Sequence, residues 1–295
     1  LRNRRQRQMC IRDSYNPEAT ESFQEGMLIP PVKLFTEGKL NQDIVNILSA
    51  NSRLPNSLYG DLNGQINALD LGEERLHSLL DEYTEEKITS ALKELRERAE
   101  KMMRQHIGAL PNETISVEDY LDNDGVTDDP LTLAIDLTIK DDKMTIDFSR
   151  SSNACAGPVN ISKSTTIAAT YVALKHIFTD VPANAGVLKP VEFIIPEDSF
   201  LNVRAPKPVG GYTETILRLI DVIFQAFQNS ASDRVNGCAY GTINALSLSG
   251  YRKNGSRWVM FSFFGGGHGG HPEGDGLNHG NACLLYTSPS PRDLA

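Results

Sequence analysis

The sequence predicts an α+β protein, with a helical first half and antiparallel strands with packed helices in the second half. Two patterns along the 295 residues support this class. Between about residues 41 and 110, apolar side chains recur at three- and four-residue spacing, which is typical of amphipathic helices. From Leu131 onward the spacing changes to two, which is typical of half-buried strands. Helices and strands are therefore segregated along the chain and do not alternate as in a βαβ protein.

The first half is predicted to contain two helical regions. Asn41 is a favourable N-cap for a helix that runs to Ala50. A longer helical region is predicted from about Ser57 to Ile107, with Gly72 and Thr84 as its expected breaks. The second part of this region has the clearer apolar stripe, which consists of Ile88, Leu92, Leu95, Ala99 and Met102.

The second half is predicted to combine hairpins, short strands and two helices. Leu131–Ile139 alternates apolar and polar residues, and Asp141-Asp142 turns the chain into a returning strand that ends at Phe148. A last hairpin is expected to turn at Asn254-Gly255. The remaining expected elements are a helix at Thr165–Phe178 that packs through Ala168, Ala169, Val172 and Ile177, short strands at Val191–Ile195 and Phe200–Val203, a helix at Thr213–Gln228, and the hairpin strands Ala245–Arg252 and Arg257–Phe264.

The last hairpin leads into a glycine-rich loop, Gly265–Gly280, which reads GGGHGGHPEGDGLNHG. Three interpretations are open. His268, His271 and Asp275 have side chains that bind divalent metals, although the HGGH spacing is not that of a helical two-histidine site. Alternatively, the loop contacts substrate or another subunit, with its backbone N–H groups available as an anion nest. In the third interpretation the glycines permit a tight crossover and the histidines, His279 included, are merely polar.

Other candidate site residues lie outside this loop. Asp61 and Gln65 are four residues apart and share one face of a predicted helix, where they either hold a ligand or bond to a neighbouring helix. Asn160 is predicted either to cap a loop or to bind substrate. Gly210-Gly211 before a helix forms either an anion site or a simple turn. Cys155 and Cys238 are each expected to be buried, inert thiols.

Both ends of the chain are interpreted as translated sequencing adapters and not as protein. Met9–Ser14 and Cys283–Ser288 can be encoded by opposite strands of one DNA segment, so residues 1–14 and 283–295 are excluded from the fold. The excluded ends carry a net positive charge, whereas the whole chain carries −9, so the remainder is acidic. This charge argues against nucleic acid and anionic membranes as partners. Two widely spaced remaining cysteines predict reduced thiols and a cytoplasmic protein.

Six segments in order resemble the hydantoinase B/5-oxoprolinase family, and the last two are most similar to its N-methylhydantoinase B-type members. The resemblance covers residues 15–282, which are predicted to form one partial domain with a helical part at about 41–110 and a mixed α/β part at about 130–282. The segments are EGMLIPPVKL (Glu25–Leu34), NSRLPNSLYGDLNGQ (Asn51–Gln65), DGVTDDP (Asp124–Pro130), IDFSRSSNACAGPVN (Ile146–Asn160), GGYTETILRLIDVIFQAF (Gly210–Phe227) and FGGGHGGHPEGDGLNHGNA (Phe264–Ala282).

The resemblance implies a cytoplasmic subunit of an ATP-dependent hydrolase that opens cyclic amides such as hydantoin, N-methylhydantoin or 5-oxoproline. It also implies an A-type partner that uses ATP. The sequence itself contains no P-loop or dinucleotide fingerprint. The family's metal-site segments are expected to lie upstream of Glu25, so no metal ligand is assigned within this chain and the fragment alone is expected to be inactive. A related ketone carboxylase subunit and a non-catalytic scaffold are the alternatives.

On this resemblance the candidate site residues receive provisional roles. The candidate catalytic residues are Asp61, Asp275 and His268, and the candidate substrate-binding residues are Gln65, Asn160 and His271.

Overall fold

The structure, a computed structural model, describes residues 16–242 and 244–278. Within this part, the chain forms two compact units. The first contains residues 26–94 and 247–261, and the second contains residues 16–25, 95–242, 244–246 and 262–278. The predicted adapter segments and His279 lie outside the described residues. No helix in the described part of the chain is long and apolar enough to cross a membrane.

The long helices precede the main sheet along the chain, and helices and strands do not alternate regularly, so the predicted α+β class is confirmed. In chain order, the helices are α1 Ser22–Glu25, α2 Gln42–Ala50, α3 Pro55–Glu82, α4 Glu85–Gly108, α5 Lys163–Ile177 and α6 Tyr212–Phe227. The strands are β1 Phe35–Thr36, β2 Lys39–Leu40, β3 Glu113–Leu121, β4 Leu131–Lys140, β5 Lys143–Asp147, β6 Val191–Ile194, β7 Asn244–Tyr251 and β8 Arg257–Phe264, and a 3-10 turn spans Ala185–Leu188.

The first unit is built on α2 and α3. Asn41 caps α2 as predicted, because its side chain accepts a hydrogen bond from the N–H of Asp43 at 3.2 Å. The predicted break at Gly72 is wrong, since α3 runs through it for 28 residues. A glycine inside a helix costs about 1 kcal/mol relative to alanine, and this cost does not end a helix of that length. The chain does break before Thr84, where α3 gives way to α4.

The second unit is organised around a four-stranded sheet in the order β3-β4-β5-β6. The predicted hairpin is β4 and β5, paired antiparallel with Ile139 opposite Met144. Asp141 adopts φ +54° in its turn, a conformation that aspartate tolerates better than most residues. β3 pairs antiparallel with β4, whereas β6 lies parallel to β5 after a crossover through α5. The sheet is therefore mixed, and neither β3 nor the parallel pair was predicted.

The hydrophobic core of this unit lies between the sheet and the helices α5 and α6, which pack together. Ala169 and Ile177 are buried as predicted, but Ala168 and Val172 are exposed. The buried side of α5 instead includes Thr166 and Thr170, whose hydroxyls donate to the carbonyls of Leu201 and Thr166. Intrahelical and loop carbonyls satisfy these hydroxyls, so a helix face with polar residues is buried without unpaired donors. Fully buried large side chains include Leu133, Ile135, Ile146, Phe148, Phe178 and Phe227.

The predicted strand at Phe200–Val203 is wrong. The segment forms turns, in which Phe200 and Leu201 are both fully buried. Adjacent residues of a strand point to opposite faces, so burying both favours a looped backbone. The N–H of Phe200 donates to the Ser152 carbonyl at 3.2 Å, and the Asn202 amide donates to the Pro196 carbonyl at 3.1 Å. Loop hydrogen bonds therefore replace a strand ladder here.

The carboxylate of Asp124 fastens two loops to each other and is only 1% exposed. One oxygen accepts the N–H groups of Val126 and Thr127 at 2.8 and 2.7 Å, and the other accepts those of Ala156 and Gly157 at 3.0 and 2.8 Å. A Cβ at Gly157 would lie 1.8 Å from the Asp124 carbonyl oxygen, so this approach requires glycine. Burial opposes ionisation of Asp124, but the backbone donors outweigh it and lower the pKa of this carboxyl.

The predicted last hairpin is confirmed as β7 and β8, which form a two-stranded sheet. Gly255 takes φ +80° in the turn, and the Asn254 side chain accepts the N–H of Ser256 at 3.0 Å. This combination of asparagine and glycine is typical of tight hairpin turns. β8 ends at Phe264, so the hairpin leads directly into the glycine-rich loop, as the sequence predicts.

Candidate functional site

The glycine-rich loop lies against the backbone of residues 237–240. The N–H of Gly237 donates to the Gly270 carbonyl at 2.8 Å, and the N–H of Tyr240 donates to the Gly267 carbonyl at 3.0 Å. A Cβ at Gly269 would lie 2.0 Å from the carbonyl oxygen of Gly237. Backbone meets backbone at this position, so any side chain there forces the two segments apart. This geometry supports the interpretation in which glycine is needed for a tight crossover.

Two turns give the loop its shape. His268 donates its N–H to the Leu277 carbonyl at 2.9 Å, which closes the wider turn. His271 and Gly274 exchange N–H···O bonds of 2.9 and 3.0 Å across the narrower one. Within this turn the His271 ring nitrogen Nδ1 accepts the N–H of Glu273 at 3.3 Å. A Cβ at Gly276 would lie 1.9 Å from the His268 carbonyl oxygen, so the wider turn also depends on glycine.

The three predicted loop residues His268, His271 and Asp275 are all exposed. His271 lines a cleft of about 270 Å³ together with His176, Asp233, Arg234 and Glu273. Among the described residues, no three His, Cys, Asp or Glu side chains converge as a metal site requires. The structure therefore does not bring His268, His271 and Asp275 together as a ligand set, and it leaves their side chains available for contact with substrate or a subunit.

Asp61 and Gln65 lie on one face of α3, as their spacing predicts, and both are exposed. They belong to the first unit, whereas the loop histidines and Asp275 belong to the second. The predicted site residues therefore belong to two different units, one group on a helix and the other on a loop.

Asn160 is completely buried. Its oxygen accepts the N–H of Cys155 at 3.0 Å, and its NH2 group donates to the carbonyls of Cys155, Gly157 and Pro208 at 3.2, 2.8 and 3.2 Å. Each of the two N–H groups of an asparagine is thus used by backbone. Of the two predicted roles, this geometry favours that of a residue that caps a loop.

A polar stripe on α6 supports the segment that holds the glycine-rich loop. The stripe consists of Glu214, Arg218, Asp221 and Gln225, which are spaced as one helix face. Asp221 accepts the N–H of Ala239 at 3.2 Å, and the Gln225 amide lies 3.7 Å from the Cys238 sulfur. These contacts fix residues 238–239, next to the backbone that pairs with Gly267 and Gly270. Polar residues at this spacing in an otherwise apolar helix were a signal that the sequence analysis did not use.

An ion pair ties the stripe to the sheet. The Arg218 guanidinium donates to Asp119 of β3 at 2.9 Å, and both side chains are about three-quarters buried. A Cβ at Gly241 would lie 2.7 Å from the same guanidinium, so the backbone at Gly241 lies directly against Arg218. A cleft of about 300 Å³ opens beside this pair, and Glu214, Gly241 and Asp122 are among its lining residues. Asp119 occupies the inward face of an edge strand, where it interrupts the apolar alternation of Ile115, Val117 and Leu121.

Asp221 is the buried titratable group of this stripe, with 2% of its surface exposed. Burial raises the pKa of Asp221, and the Ala239 N–H and the Arg218 charge only partly oppose this effect. Its second carboxyl oxygen has no hydrogen-bond partner among the described residues. A carboxyl in this position holds a proton more firmly than an exposed aspartate.

We expect Asp221→Asn to remove a pH-dependent loss of stability. The pKa of Asp221 is higher in the folded protein than its value of about 3.9 in the unfolded chain. Its favourable contribution to the free energy of unfolding is therefore complete below the unfolded pKa and is lost as the pH rises through the folded pKa. Asparagine carries no titrating charge and still accepts the Ala239 N–H. Urea unfolding of both proteins from pH 4 to pH 8 measures the effect, with a limiting slope of about 1.4 kcal/mol per pH unit. Parallel stability curves would contradict the assignment.

Gly210-Gly211, for which the sequence left an anion site and a simple turn open, is contacted by a carboxylate of the chain itself. The Glu25 carboxylate accepts the N–H of Val209 at 2.9 Å and also that of Gly210, just before α6 begins. An anion at this place is stabilised by the positive end of the helix dipole. The N–H groups of Val209 and Gly210 therefore anchor the segment that ends at Glu25.

The two described cysteines have different environments. Cys155 is buried, and burial raises the pKa of its thiol to about 12, which suppresses the reactive thiolate. Cys238 is exposed, so the prediction that it is buried is wrong. Its position in the loop segment beside the polar stripe accounts for this exposure.

These features describe an α+β domain that presents a polar, glycine-rich loop on a closely packed backbone. The profile of the family described as Hydantoinase B/oxoprolinase matches residues 11–291. The chain belongs to this family, and the predicted resemblance is confirmed.

Three similar proteins from other organisms are consistent with this membership. A protein of Methanocaldococcus jannaschii is 32% identical over 258 residues, which cover 87% of this chain and 44% of that protein. The caprolactamase subunit beta of Pseudomonas jessenii is 29% identical over 251 residues, or 83% of this chain and 43% of the subunit. 5-Oxoprolinase 1 of Arabidopsis thaliana is 27% identical over an alignment of 295 positions, which covers 90% of this chain and 22% of that protein. The chain thus spans less than half the length of each of these relatives.

Two solved structures share the fold. The ATP-dependent caprolactamase from Pseudomonas jessenii superposes with a TM-score of 0.77 at 28% identity, covering 90% of this chain and 46% of that chain. A nucleotide-free acetone carboxylase also gives a TM-score of 0.77, at 17% identity, covering 88% of this chain and 37% of the other. At that lower identity, the second similarity concerns the fold alone.

Proposed function

We propose that the protein containing this chain is the B-type subunit of an ATP-dependent cyclic amide hydrolase, which opens hydantoin, N-methylhydantoin or 5-oxoproline rings. The observation that supports this most directly is the similarity to an ATP-dependent caprolactamase, at 28% identity across 90% of the chain. Caprolactamase and 5-oxoprolinase are both named for the opening of cyclic amides, and the caprolactamase relative is a beta subunit. An A-type subunit that uses ATP is the proposed partner.

The chemistry explains why such a hydrolase uses ATP. A cyclic amide is stabilised by resonance between nitrogen and carbonyl, as in the peptide bond. Transfer of the γ-phosphoryl group of ATP, bound by the partner, to the amide oxygen with release of ADP would make the amide carbon a better electrophile. The task left to a B-type chain is to bind the ring, position it and exclude water until hydrolysis, which are functions of a preorganised polar loop.

Within this chain we propose two groups of contact residues. His268 and Asp275 are the proposed proton-transfer groups of the loop, with His271 as a substrate contact, because all three are exposed on a backbone fixed by close glycine contacts. Asp61 is proposed as a further catalytic residue and Gln65 as a substrate contact, and both are exposed on one face of α3. Asn160 was a substrate-binding candidate, and we now propose that it acts by positioning the 155–160 loop.

The proposed mechanism uses no metal bound by the described residues, because their side chains do not converge as a set of metal ligands. A divalent metal held by segments outside this sequence remains part of the proposal.

We also propose that residues 15–282 form the domain and that residues 1–14 and 283–295 derive from adapters. The cytoplasm is the proposed compartment, since Cys155 and Cys238 are both free thiols.

A ketone carboxylase subunit is the second candidate, favoured by the shared fold with acetone carboxylase. The two activities differ in their co-substrate, because only a carboxylase requires bicarbonate. A purely structural subunit is the third candidate, for which alanine at Asp61 and Asp275 would leave full activity.

The test is an assay of ADP release by the full-length protein co-expressed with its A-type subunit. Hydantoins, 5-oxoproline and small ketones are supplied with and without bicarbonate. We expect ADP release coupled to ring opening of one cyclic amide, independent of bicarbonate. ADP release that requires a ketone and bicarbonate would replace this proposal with the carboxylase, and no turnover of any cyclic amide would remove it.

A further inference from the structure

α3 is unusual for a helix of its length, because none of its 28 residues is buried. At about 1.5 Å per residue it is about 42 Å long. Helices of folded proteins normally bury an apolar stripe against a neighbour. α2 packs against α3, and Leu62 and Ile66 are half-buried. Beyond them Leu69 and Leu76 are 74% and 52% exposed.

The apolar residues of α3 follow a seven-residue repeat. Positions alternating by three and four form one seam along the helix, as in a coiled coil, and the opposite side is mainly polar. We call these residues the α3 seam: Tyr59, Leu62, Ile66, Leu69, Glu73, Leu76 and Leu80. Six of these seven side chains are apolar. Tyr59 is exposed at the start of the seam, and the longer exposed part runs from Leu69 to Leu76, before the half-buried Leu80. A repeat of this kind indicates a surface that accepts another helix.

The charge around the exposed part of the seam is acidic. Glu73 lies in the seam itself, with His77 one turn further on at 3.8 Å. From Leu69 to the end of α3, the carboxylates outnumber the cations, of which Arg75 is the permanent one. The carboxylates are Asp70, Glu73, Glu74, Asp81 and Glu82.

The acidic charge around the α3 seam distinguishes between the helices that could dock on it. A parallel second copy would place Glu73 against Glu73, and an antiparallel copy would bring the same acidic segment against itself. Like charges in contact across an interface oppose pairing. A helix with apolar residues at three- and four-residue spacing and flanking lysines or arginines is complementary in both shape and charge.

We propose that the α3 seam, from Leu69 to Leu80, is the docking surface for a basic amphipathic helix of the partner subunit. This inference rests on the proposed function for the existence of an A-type partner, and it adds the surface and the chemistry by which the partner is recognised. The seam provides the apolar contact, while Asp70 and Glu73 orient the basic flank of the incoming helix.

The test compares substitutions on two sides of the same helix. Leu69→Glu combined with Leu76→Glu places charges in the seam, whereas Leu71→Glu is the matched control, because Leu71 is 47% exposed but lies opposite the seam. All three leucines are exposed, so the helix content by circular dichroism is expected to stay unchanged. Binding of the purified A-type subunit to the full-length protein is measured by titration calorimetry.

We expect the seam variant to bind the A-type subunit at least a hundredfold more weakly, about tenfold for each leucine. The control is expected to bind within about threefold of the wild type. Glu73→Lys is expected to weaken binding at low salt and to reduce its salt dependence, since it removes an attraction to the basic flank. Equal binding by all variants would overturn the proposal.

Sedimentation of the full-length protein alone tests the second-copy alternative. Self-association that is lost in the seam variant but not in the control would assign the seam to a homodimer and overturn our choice of occupant. Because binding is measured without turnover, its result is independent of the hydrolase assay. A complex that forms through the seam but opens no ring would retain this inference and remove the proposed activity.

Discussion

Replacing Asp124 with asparagine is expected to lower the free energy of unfolding by about 3 kcal/mol. Both carboxylate oxygens of Asp124 accept backbone N–H groups, from Val126 and Thr127 on one side and from Ala156 and Gly157 on the other. An amide in either orientation turns its NH2 group toward two N–H donors. Two N–H donors that point at the buried carboxyl group then lose their acceptor, and the bonds concerned are part-buried at Val126, Thr127 and Ala156 and buried at Gly157. Losing such bonds is more costly than losing an exposed hydrogen bond.

The pH dependence provides a second readout for Asp124. Its pKa is lower in the folded protein, so the stabilisation is present above the unfolded pKa and is lost as the pH falls through the folded pKa. Chemical unfolding between pH 3 and pH 7 should show the wild type and Asp124→Asn converging at low pH. Asp122→Asn is the control, because Asp122 is exposed two residues away. A loss below 1 kcal/mol at pH 7 would contradict the proposed role of Asp124.

Gly269→Ala is expected to reduce ring opening by about a hundredfold in the complex with the A-type subunit. The added Cβ would lie 2.0 Å from the Gly237 carbonyl oxygen, so the loop must move away from the segment that supports it. Displacing positioned groups by about 1 Å costs on the order of a hundredfold in rate. Single-turnover assays with the cyclic amide identified by ADP release measure this loss.

Gly274→Ala is the matched control in the same loop. Its Cβ would meet only the His271 ring carbon, at 3.9 Å, which is an ordinary contact. We expect this variant to retain nearly full activity and Gly269→Ala to make the peptide 266–277 exchange its amide hydrogens faster. Equal activity of the two variants would show that the close packing of the loop does not serve catalysis.

The elements predicted correctly are those encoded by local pattern. Asn41 caps α2, and the alternation in β4 with the turn at Asp141 specifies a hairpin. These features depend on neighbours in sequence, so periodicity and turn chemistry were sufficient to predict them. The family membership was predictable for a related reason, because several segments match in order along one chain.

The features that were missed depend on distant partners. β3 carries Asp119 on its inward face, where Arg218 of α6 compensates the charge, and a strand rule that expects apolar residues there does not recognise it. Gly72 has a helix-breaking preference that the rest of α3 overrides. For Asn160 the sequence left capping and substrate binding both open, because it does not show that backbone groups distant in sequence, such as Pro208, use the hydrogen-bonding capacity of its side chain. Tertiary context decided each of these outcomes.

Because Cys238 is exposed and Cys155 is buried, a dye can be attached selectively beside the segment that contacts the glycine-rich loop. Once Cys10 and Cys283 are replaced by serine, a maleimide dye at neutral pH reacts with exposed Cys238 and spares buried Cys155, whose thiol remains protonated. Cys238 adjoins Gly237, whose N–H is bonded to Gly270. A dye at this position would therefore report in real time any separation of the loop from the segment that supports it.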